Sequence, residues 1–405
     1  MTPGSDCDAV VIGGGILGLS VARAFLLARP ATRVVVVEKE ATVAAHQSGR
    51  NSGVIHSGVY YRPGSAKART VAAGRQALVA FCEEAAIPIA WCGKVIVAVT
   101  DDERAGLEVL RLRAMANGVT AIPLDASGLR EIEPHARGVA ALHVPDAGVV
   151  DYRLVCAALV REITGRGGEV VCSTAVSTIE ERADSVVVDA PTRTWRSGLV
   201  VNCGGLHADQ LAARTWAGTG GARIVGFRGE FFDLSPRAEH LVRALIYPVP
   251  DDRFPFLGVH LTRTVGGQVH AGPNAVLALA REGYSWRDVD ATEVLALARF
   301  RGFRRLAAQH WRVGAREIYR SASKRAFAAA VRRLVPEIGA DDLLPAPSGV
   351  RAQAVGADGK LVDDFWLTDS ARVVNVLNAP SPAATASLEI GRQIVASLTP
   401  RLDVG

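Results

Sequence analysis

The sequence has few cysteines, few aromatic residues and no long apolar run, and these shortages exclude several classes of protein. Its six cysteines form no Cys-x-x-Cys pair and no cluster with histidine. We therefore expect neither a zinc site nor a dithiol redox centre, and no bound metal. Scattered cysteines of this kind suit a reducing compartment.

No stretch reaches the roughly 18 consecutive apolar residues of a membrane-spanning helix. The amino terminus also lacks the basic region and apolar core of a signal peptide, so we expect a cytoplasmic protein. The 405 residues, 49% hydrophobic and 21% charged, fit two or three globular domains of about 150 residues each. This composition excludes disorder, collagen and coiled coil.

Positive charge is concentrated in one segment. Residues 299–333 include eleven Lys or Arg and one acid, Glu317, whereas the whole chain carries a net charge of only +5. Apolar residues recur in this segment at helical intervals, which predicts basic amphipathic helices. The simpler interpretation is a solvated arginine face, and the alternative is docking on an anionic membrane surface. We expect no nucleic-acid binding, because no nucleic-acid motif accompanies the arginines.

The first forty residues predict a dinucleotide-binding unit. An apolar strand over 8–12 leads into Gly13-Gly-Gly-Ile-Leu-Gly18, followed by a helix to about residue 29 and a strand over 33–37 that ends in Glu38. Gly13 permits the tight turn, Gly15 lets a pyrophosphate approach the backbone, and Gly18 lets helix and strand pack closely. Glu38 can bind both ribose hydroxyls and would repel a 2′-phosphate, which leaves NAD or FAD as the cofactor.

Two features favour FAD over NAD. The chain has no second Gly-x-Gly-x-x-Gly turn that could form a separate nicotinamide module. The second strand is followed by a polar loop, residues 46–61, rich in Gly, Ser and Asn. Such a loop can run its N–H groups along an extended pyrophosphate and bring His56 toward a redox ring.

The chain is predicted to return twice to the same sheet. A strand over 198–203 ends in Gly204-Gly205, and a strand over 372–377 precedes a helix that we expect to begin with Ser381 as N-cap and Pro382 as its first residue. Antiparallel strands are predicted over 226–234, 245–250, 256–264 and 268–273, and peripheral helices over 101–117 and 124–134. We therefore expect an α/β fold in which a discontinuous Rossmann-type FAD-binding domain (1–80, 148–220 and 341–405) carries an inserted substrate domain of mixed antiparallel sheet and helices (81–147 and 221–340).

Several longer motifs identify a family. The run His46-Gln-Ser-Gly-Arg-Asn-Ser-Gly-Val-Ile-His-Ser-Gly-Val-Tyr-Tyr61 resembles the L-2-hydroxyglutarate oxidases/dehydrogenases, FAD enzymes of the D-amino-acid-oxidase-like superfamily. Further matches run in order across the chain, among them Arg228-Gly-Glu230, 255–263, 272–277, 349–355 and 378–385. Arg50 is one departure, where some members carry a smaller or less basic residue, and this could alter the cofactor loop.

The resemblance implies oxidation of L-2-hydroxyglutarate to 2-oxoglutarate, with hydride transfer from C2 to flavin N5 and reoxidation of the flavin by O2 or a membrane quinone. Arg351 is similar to the superfamily arginine that grips the substrate carboxylate. His260 and His56 are the candidate bases, with a preference for His260. Tyr60, Asn274 and Gln353 are further substrate candidates.

The residues that we expect to hold FAD lie in the glycine turn, in the loop after the second strand and at the later strand ends. They are Gly13, Gly15, Ile16, Leu17, Gly18, Glu38, Lys39, Gln47, Ser48, Asn51, Ser52, Gly53, Val54, Ala175, Val176, Cys203, Gly204, Gly205, Pro380, Ser381, Ala383, Ala384 and Thr385.

Three alternatives remain open from the sequence. The chain could be an amine or amino-acid oxidase of the same superfamily, or a non-catalytic flavoprotein that uses its basic helices at a membrane. An NAD-linked dehydrogenase is the third, and the missing nicotinamide module argues against it.

Overall fold

The computed structural model of the protein describes residues 6–250 and 258–402. Its strands in chain order are β1 (Cys7–Ile12), β2 (Val34–Val37), β3 (Val54–Ile55), β4 (Ile89–Ala90), β5 (Lys94–Ala98), β6 (Ile122–Asp125), β7 (Ala140–Val144), β8 (Gly148–Val150), β9 (Glu169–Val171), β10 (Thr178–Glu181), β11 (Val186–Ala190), β12 (Arg193–Asn202), β13 (Arg223–Gly229), β14 (Phe232–Leu234), β15 (Leu245–Pro248), β16 (His260–Arg263), β17 (Val269–Gly272), β18 (Val276–Leu277), β19 (Leu343–Pro345), β20 (Gly349–Val355), β21 (Trp366–Asp369) and β22 (Val373–Asn378).

The α-helices are α1 (Ile16–Ala28), α2 (Ala66–Glu84), α3 (Arg104–Ala116), α4 (Ala126–Ile132), α5 (Tyr152–Gly165), α6 (Ala208–Ala212), α7 (Ala291–Arg299), α8 (Arg301–Ala322), α9 (Lys324–Val331) and α10 (Ala383–Leu402). No helix in the described ranges is both long enough and apolar enough to cross a membrane.

The first large sheet is built around β1, whose apolar sequence suits a strand covered on both faces. β1 pairs in parallel with β2 and β12, β12 pairs in parallel with β22, and β2 pairs in parallel with β9. Helices α1, α2, α5 and α10 contribute to the core on one face, and α10 comes so close to α1 that a Cβ on Gly391 would lie 2.7 Å from the backbone of Ser20. Three separate stretches of chain thus form one sheet, with β12 and β22 as the two returns.

The second large sheet has the order β19-β14-β17-β16-β15-β5-β7-β6. Its two faces carry separate apolar cores, one closed by α4 and α9 and the other by α3. The expectation of antiparallel strands is wrong at one point, because β15 pairs in parallel with β5. These two strands arrive from distant parts of the chain with no hairpin between them, so nothing local sets their direction.

Two further differences from the predictions have local causes. The strand predicted over 226–234 is two strands in different sheets, β13 with β18 and β20, and β14 with β17 and β19. The break falls where a Cβ on Gly229 would lie 2.8 Å from Pro273 and where Asn274 accepts a hydrogen bond from the N–H of Glu230.

Helix α10 begins at Ala383, one residue later than predicted. Pro382 has no N–H group, and the first backbone bond of the turn runs from Ala383 to the carbonyl of Pro380. Of the strand predicted over 256–264, residues 256 and 257 lie outside the described residues, and the strand runs from His260 to Arg263.

Candidate active site

A cavity of about 940 Å³ opens at the carboxyl ends of β1, β2, β12 and β22 and reaches β15 and β16 of the second sheet. The carboxyl ends of parallel strands are where ligands bind in open α/β sheets. The glycine turn forms one end of the cavity. Aromatic and histidine side chains of the inserted sheet form the other end.

The glycine turn leaves room that side chains would fill. Gly13 has a positive φ of 108°, and a Cβ there would lie 2.5 Å from the carbonyl oxygen of Cys203. A Cβ on Gly18 would lie 2.0 Å from the carbonyl oxygen of Gly13. Because these glycines have no side chain, the backbone of the turn packs directly against α1. The N-terminus of α1 therefore faces the cavity with the positive end of the helix dipole.

Glu38 is fixed at the end of β2 by backbone donors. Its carboxylate accepts hydrogen bonds from the N–H of Gly14 at 2.6 Å and of Glu40 at 2.9 Å. Each carboxylate oxygen has a second lone-pair direction, so Glu38 can still accept hydrogen bonds from a ribose.

The polar loop after β2 lies across the start of α1. Ser48 Oγ accepts a hydrogen bond from the N–H of Ile16 at 2.8 Å, and Gln47 Oε1 accepts one from the N–H of Ala352 at 2.9 Å. This loop therefore joins the glycine turn to β20. A cradle of bare Cα atoms, N–H groups and one carboxylate fits the pyrophosphate and ribose of FAD.

Most of the residues predicted to hold FAD line this cavity, but two do not. Gly53 has a positive φ of 70° and packs on β8, where a Cβ would lie 2.6 Å from the carbonyl oxygen of Val150. Thr385 is buried, and its hydroxyl oxygen accepts a hydrogen bond from the N–H of His56. The hydroxyl groups of Thr385 and Tyr152 form a second hydrogen bond, in which either one can be the donor. Both residues shape the wall from behind, and their contact with FAD stays a prediction.

The two predicted histidines both line the cavity. His260 Nδ1 lies 2.8 Å from the carbonyl oxygen of Gly258, which requires a proton on Nδ1 and leaves Nε2 as an acceptor. Burial lowers the pKa of His260 to about 4 and, with the charge of Lys94, that of His56 to about 3. Both imidazoles are therefore neutral at physiological pH.

Lys94 is a functional candidate that the sequence analysis missed. It is 1% exposed, and its ammonium lies 4.2 Å from the ring centre of Tyr247 and 5.4 Å from that of Tyr60. Tyr247 stacks on His260 with ring centres 4.0 Å apart. The alternation Lys94, Ile96, Ala98 on β5 could have indicated that Lys94 points into the core.

Arg351 lines the cavity from β20. Burial lowers the pKa of its guanidinium, and Lys67, whose ammonium donates to the carbonyl of Asp363, lies in the same region. A fork-shaped cation in a desolvated wall is suited to a carboxylate.

The remaining substrate candidates have different positions. Tyr60 lines the cavity, and its buried hydroxyl has no hydrogen-bond partner among the described residues. Asn274 lines the cavity as well, but its side chain is held by Glu230. Gln353 does not line it, because its amide donates to Val362 and its oxygen accepts from Arg351. In this position Gln353 supports Arg351, and its contact with the substrate stays a prediction.

A charged cluster that was not predicted lies beside Lys39. The ligand atoms of Glu40, His46 and Glu282 lie close enough to hold a metal ion. Lys39 and His207 already bind Glu282 at 2.6 and 2.8 Å. Although burial raises the pKa of Glu282, the bonds from His207 and Lys39 hold it at about 2. The cluster connects the end of β2 to the inserted segment.

Comparison with known proteins agrees with this geometry. The family model "FAD dependent oxidoreductase" matches residues 8–397. The L-2-hydroxyglutarate dehydrogenase of Escherichia coli (strain K12) is 43% identical over 396 residues, covering 96% of this chain and 93% of that protein. The mitochondrial L-2-hydroxyglutarate dehydrogenase of Homo sapiens is 39% identical over 418 residues, covering 99% of this chain and 90% of that protein.

Solved structures share the fold at lower identity. The L-alpha-glycerophosphate oxidase of Mycoplasma pneumoniae with FAD bound has a TM-score of 0.79 at 21% identity, covering 97% of this chain and 94% of that one. The glycine oxidase of Geobacillus kaustophilus has a TM-score of 0.73 at 19% identity, covering 98% and 95%. The predicted fold class and the predicted cofactor, FAD, are confirmed. The chain belongs to the family of FAD dependent oxidoreductases and, within it, to the L-2-hydroxyglutarate dehydrogenases.

Proposed function

We propose that this protein oxidises L-2-hydroxyglutarate to 2-oxoglutarate with FAD as the primary electron acceptor. One observation carries the proposal: a single cavity joins a dinucleotide cradle to an arginine and two neutral histidines. The names of its relatives, which match along nearly the whole chain, supply the substrate.

Arg351 is the proposed clamp for the substrate carboxylate next to the reacting carbon. Its position on β20 is fixed by pairing with Phe227 of β13 and by the hydrogen bond from its guanidinium to Gln353 at 3.1 Å. A carboxylate held by the guanidinium in a fixed orientation places C2 and its hydroxyl at one point of the wall.

His260 is the proposed base for the hydroxyl proton. The Gly258 carbonyl fixes the tautomer that presents an unprotonated Nε2, and the stacked Tyr247 fixes the ring plane. His56 lines the same cavity and is proposed to lie against the flavin ring. Bound FAD supplies the two-electron acceptor that takes C2–H as hydride.

The proposal is tested by anaerobic titration of the purified holoprotein with each enantiomer of 2-hydroxyglutarate. We expect the flavin absorbance to bleach with the L enantiomer and to remain with the D enantiomer. L-amino acids and glycine serve as the comparison set. Bleaching by an amine substrate in place of the hydroxy acid would identify an amino-acid oxidase, and bleaching by no substrate would identify a non-catalytic flavoprotein.

We further propose that the reduced enzyme passes its electrons to O2 or to a membrane quinone, and that the protein is cytoplasmic with contact to the inner face of the cell membrane. Support for membrane contact comes from α8, where exposed Trp311, Ile318 and Tyr319 lie among exposed arginines. Aromatic and aliphatic side chains beside cations are the composition of a helix that binds an anionic interface. Flotation with anionic vesicles of a variant that lacks the exposed arginines of α8 tests this contact.

A further inference from the structure

A short loop segment between β18 and α7 reaches the cavity near the carboxyl end of β2. This segment, residues 281–284, is named the strap. Its first residue, Arg281, is 8% exposed and binds Asp209 of α6 at 2.6 Å and Glu293 of α7 at 3.2 Å. The strap is therefore anchored on the side away from the cavity.

Glu282 of the strap joins two distant stretches of chain at the cavity wall. Its carboxylate lies 2.6 Å from Lys39 Nζ and accepts a hydrogen bond from His207 Nε2 at 2.8 Å. All three residues line the cavity. Lys39 directly follows Glu38, the expected acceptor for the ribose, and His207 directly follows the turn at the end of β12. One carboxylate thus holds together two parts of the FAD cradle.

The ammonium of Lys39 occupies the centre of the charged cluster. It lies 2.6 Å from Glu282 and 3.1 Å from His46 Nε2, and it also binds the carboxylate of Glu40. Because a cation already lies among the three ligand atoms, the cluster is a contact between chain segments and not an open metal site. Half-buried ion pairs contribute little singly, but several in one network contribute more.

Tyr284 of the strap holds the polar loop that follows β2. Its hydroxyl pairs with His46 Nδ1, and the guanidinium of Arg50 lies 4.1 Å from the centre of its ring, a cation–π contact. His46 and Arg50 both line the cavity. Arg50 also donates to the carbonyl of Ser348 at 3.4 Å. The residue at which the loop departs from the family pattern is therefore one that contacts the strap.

Retention of the cofactor gives these contacts a use. The walls near Glu38 come from the end of β2, from the polar loop and from the turn after β12, which are far apart in the chain. Backbone N–H groups and a carboxylate hold a nucleotide only while these stretches stay in place. A ligand leaves when its walls open locally, and differences in affinity lie mostly in the rate of dissociation.

We propose that the strap retains bound FAD: its contacts through Glu282 and Tyr284 keep the walls near Glu38 together, so that FAD leaves only when these contacts break. Glu282 is a positioning residue, because it acts through Lys39 and His207. The inference adds cofactor retention to the proposed function and does not depend on which substrate is oxidised.

The first test compares Glu282→Gln with the control Glu162→Gln. Glu162 is 20% exposed, forms ion pairs with Arg23 and Arg166 and is not among the residues that line the cavity. Exchange of bound FAD for excess isotope-labelled FAD, followed by mass spectrometry of the extracted flavin, gives the dissociation rate. We expect Glu282→Gln to exchange roughly fivefold faster or more, and Glu162→Gln to exchange like the wild type. Exchange in Glu282→Gln at the wild-type rate would overturn the inference.

The second test is a double-mutant cycle with Lys39→Met. Because Lys39 and Glu282 are expected to act as one contact, Glu282→Gln should speed the exchange less in the Lys39→Met background than in the wild type. An equal effect in both backgrounds would show that the two side chains act on FAD separately, and it would contradict the strap.

Thermal unfolding of the apoproteins separates retention from general stability. We expect Glu282→Gln and Glu162→Gln to have similar Tm values without FAD. A Tm of Glu282→Gln far below that of the control would assign its carboxylate to the stability of the fold and overturn the inference.

Tyr284→Phe carries the same exchange test if Glu282→Gln does not fold, since it removes only the hydroxyl that pairs with His46. We expect faster exchange than in the wild type, and an unchanged rate would overturn the inference. None of these measurements needs a substrate. A failure of L-2-hydroxyglutarate to reduce the flavin would therefore overturn the proposed function alone.

Discussion

Arg351 illustrates how much a side chain's function depends on its shape as well as its charge. Its guanidinium reaches the cavity wall from β20, with Gln353 beside it at 3.1 Å. A lysine would keep the charge but would lose the planar fork that binds two carboxylate oxygens together. The neighbouring wall would then hold the substrate in more than one orientation.

Arg351→Lys should therefore raise KM for L-2-hydroxyglutarate by about tenfold or more, since hydrogen bonds to charged groups contribute roughly 1.5–3 kcal/mol. The measurement is steady-state kinetics on the holoprotein. Arg223→Lys is the matched control, because Arg223 lies on the paired strand β13 and binds Glu293. A KM within about twofold of the wild type in Arg351→Lys would remove Arg351 as the clamp.

Gly18→Ala should weaken FAD binding by at least about tenfold, since the added Cβ would lie 2.0 Å from the carbonyl oxygen of Gly13 and must push α1 away from the turn. The measurement is the dissociation constant of FAD, from the quenching of flavin fluorescence by the apoprotein. Gly165→Ala is the control, because a Cβ at the end of α5 meets no atom within 4 Å. Equal FAD affinity in both variants would mean that the turn tolerates the methyl group.

Helix α8 carries its charge where the solvent can reach it. Arg301, Arg304, Arg305 and Arg312 are exposed, whereas Leu306 is buried against the small core around Val225 and Val355. One face of the helix therefore packs on the rest of the fold, and another face is exposed to solvent. The predicted amphipathic character follows directly from the spacing of these residues.

Replacing Arg301, Arg304, Arg305 and Arg312 with Gln should release the protein from vesicles containing anionic lipid, because each basic residue near such a surface contributes about 1 kcal/mol. Vesicle flotation measures the bound fraction. The control carries the same loss of charge at Arg130, Arg137, Arg161 and Arg237, which are exposed elsewhere. Flotation unchanged by the α8 substitutions would rule out this helix as the membrane contact.

The chain as a unit encloses its cofactor cavity with residues from both large sheets, so FAD should bind the folded state far better than the unfolded one. At a free FAD concentration of about 100 Kd, binding should stabilise the fold by about 2.7 kcal/mol. Thermal unfolding of the apoprotein at increasing FAD concentration checks this. A midpoint that does not respond to FAD would mean that the cavity walls unfold independently of the site.

The sequence predicted those parts of the molecule that depend on residues close together in the chain. The glycine turn, Glu38 and the apolar run of β1 are adjacent in the chain, and their order is enough to predict the cradle. The separation of β13 from β14 was not predictable, because it depends on the contact of Gly229 with Pro273, far along the chain.

Lys94 escaped prediction for the same reason. One lysine in a short strand carries no motif, and its surroundings depend on Tyr60 and Tyr247, which come from two other stretches of the chain. The sequence also could not predict that Gly53, Thr385 and Gln353 lie behind the cavity wall. A residue's closeness in sequence to a cavity residue does not tell whether its side chain reaches the wall.

The late position of β22 and α10 has a consequence for biosynthesis. The glycine turn that starts at Gly13 is translated long before the wall formed by Pro380, Ser381 and Ala383. While the chain between them is being translated, the nucleotide site is incomplete. The full wall of the cavity can form only after β22 and the start of α10 have been synthesised.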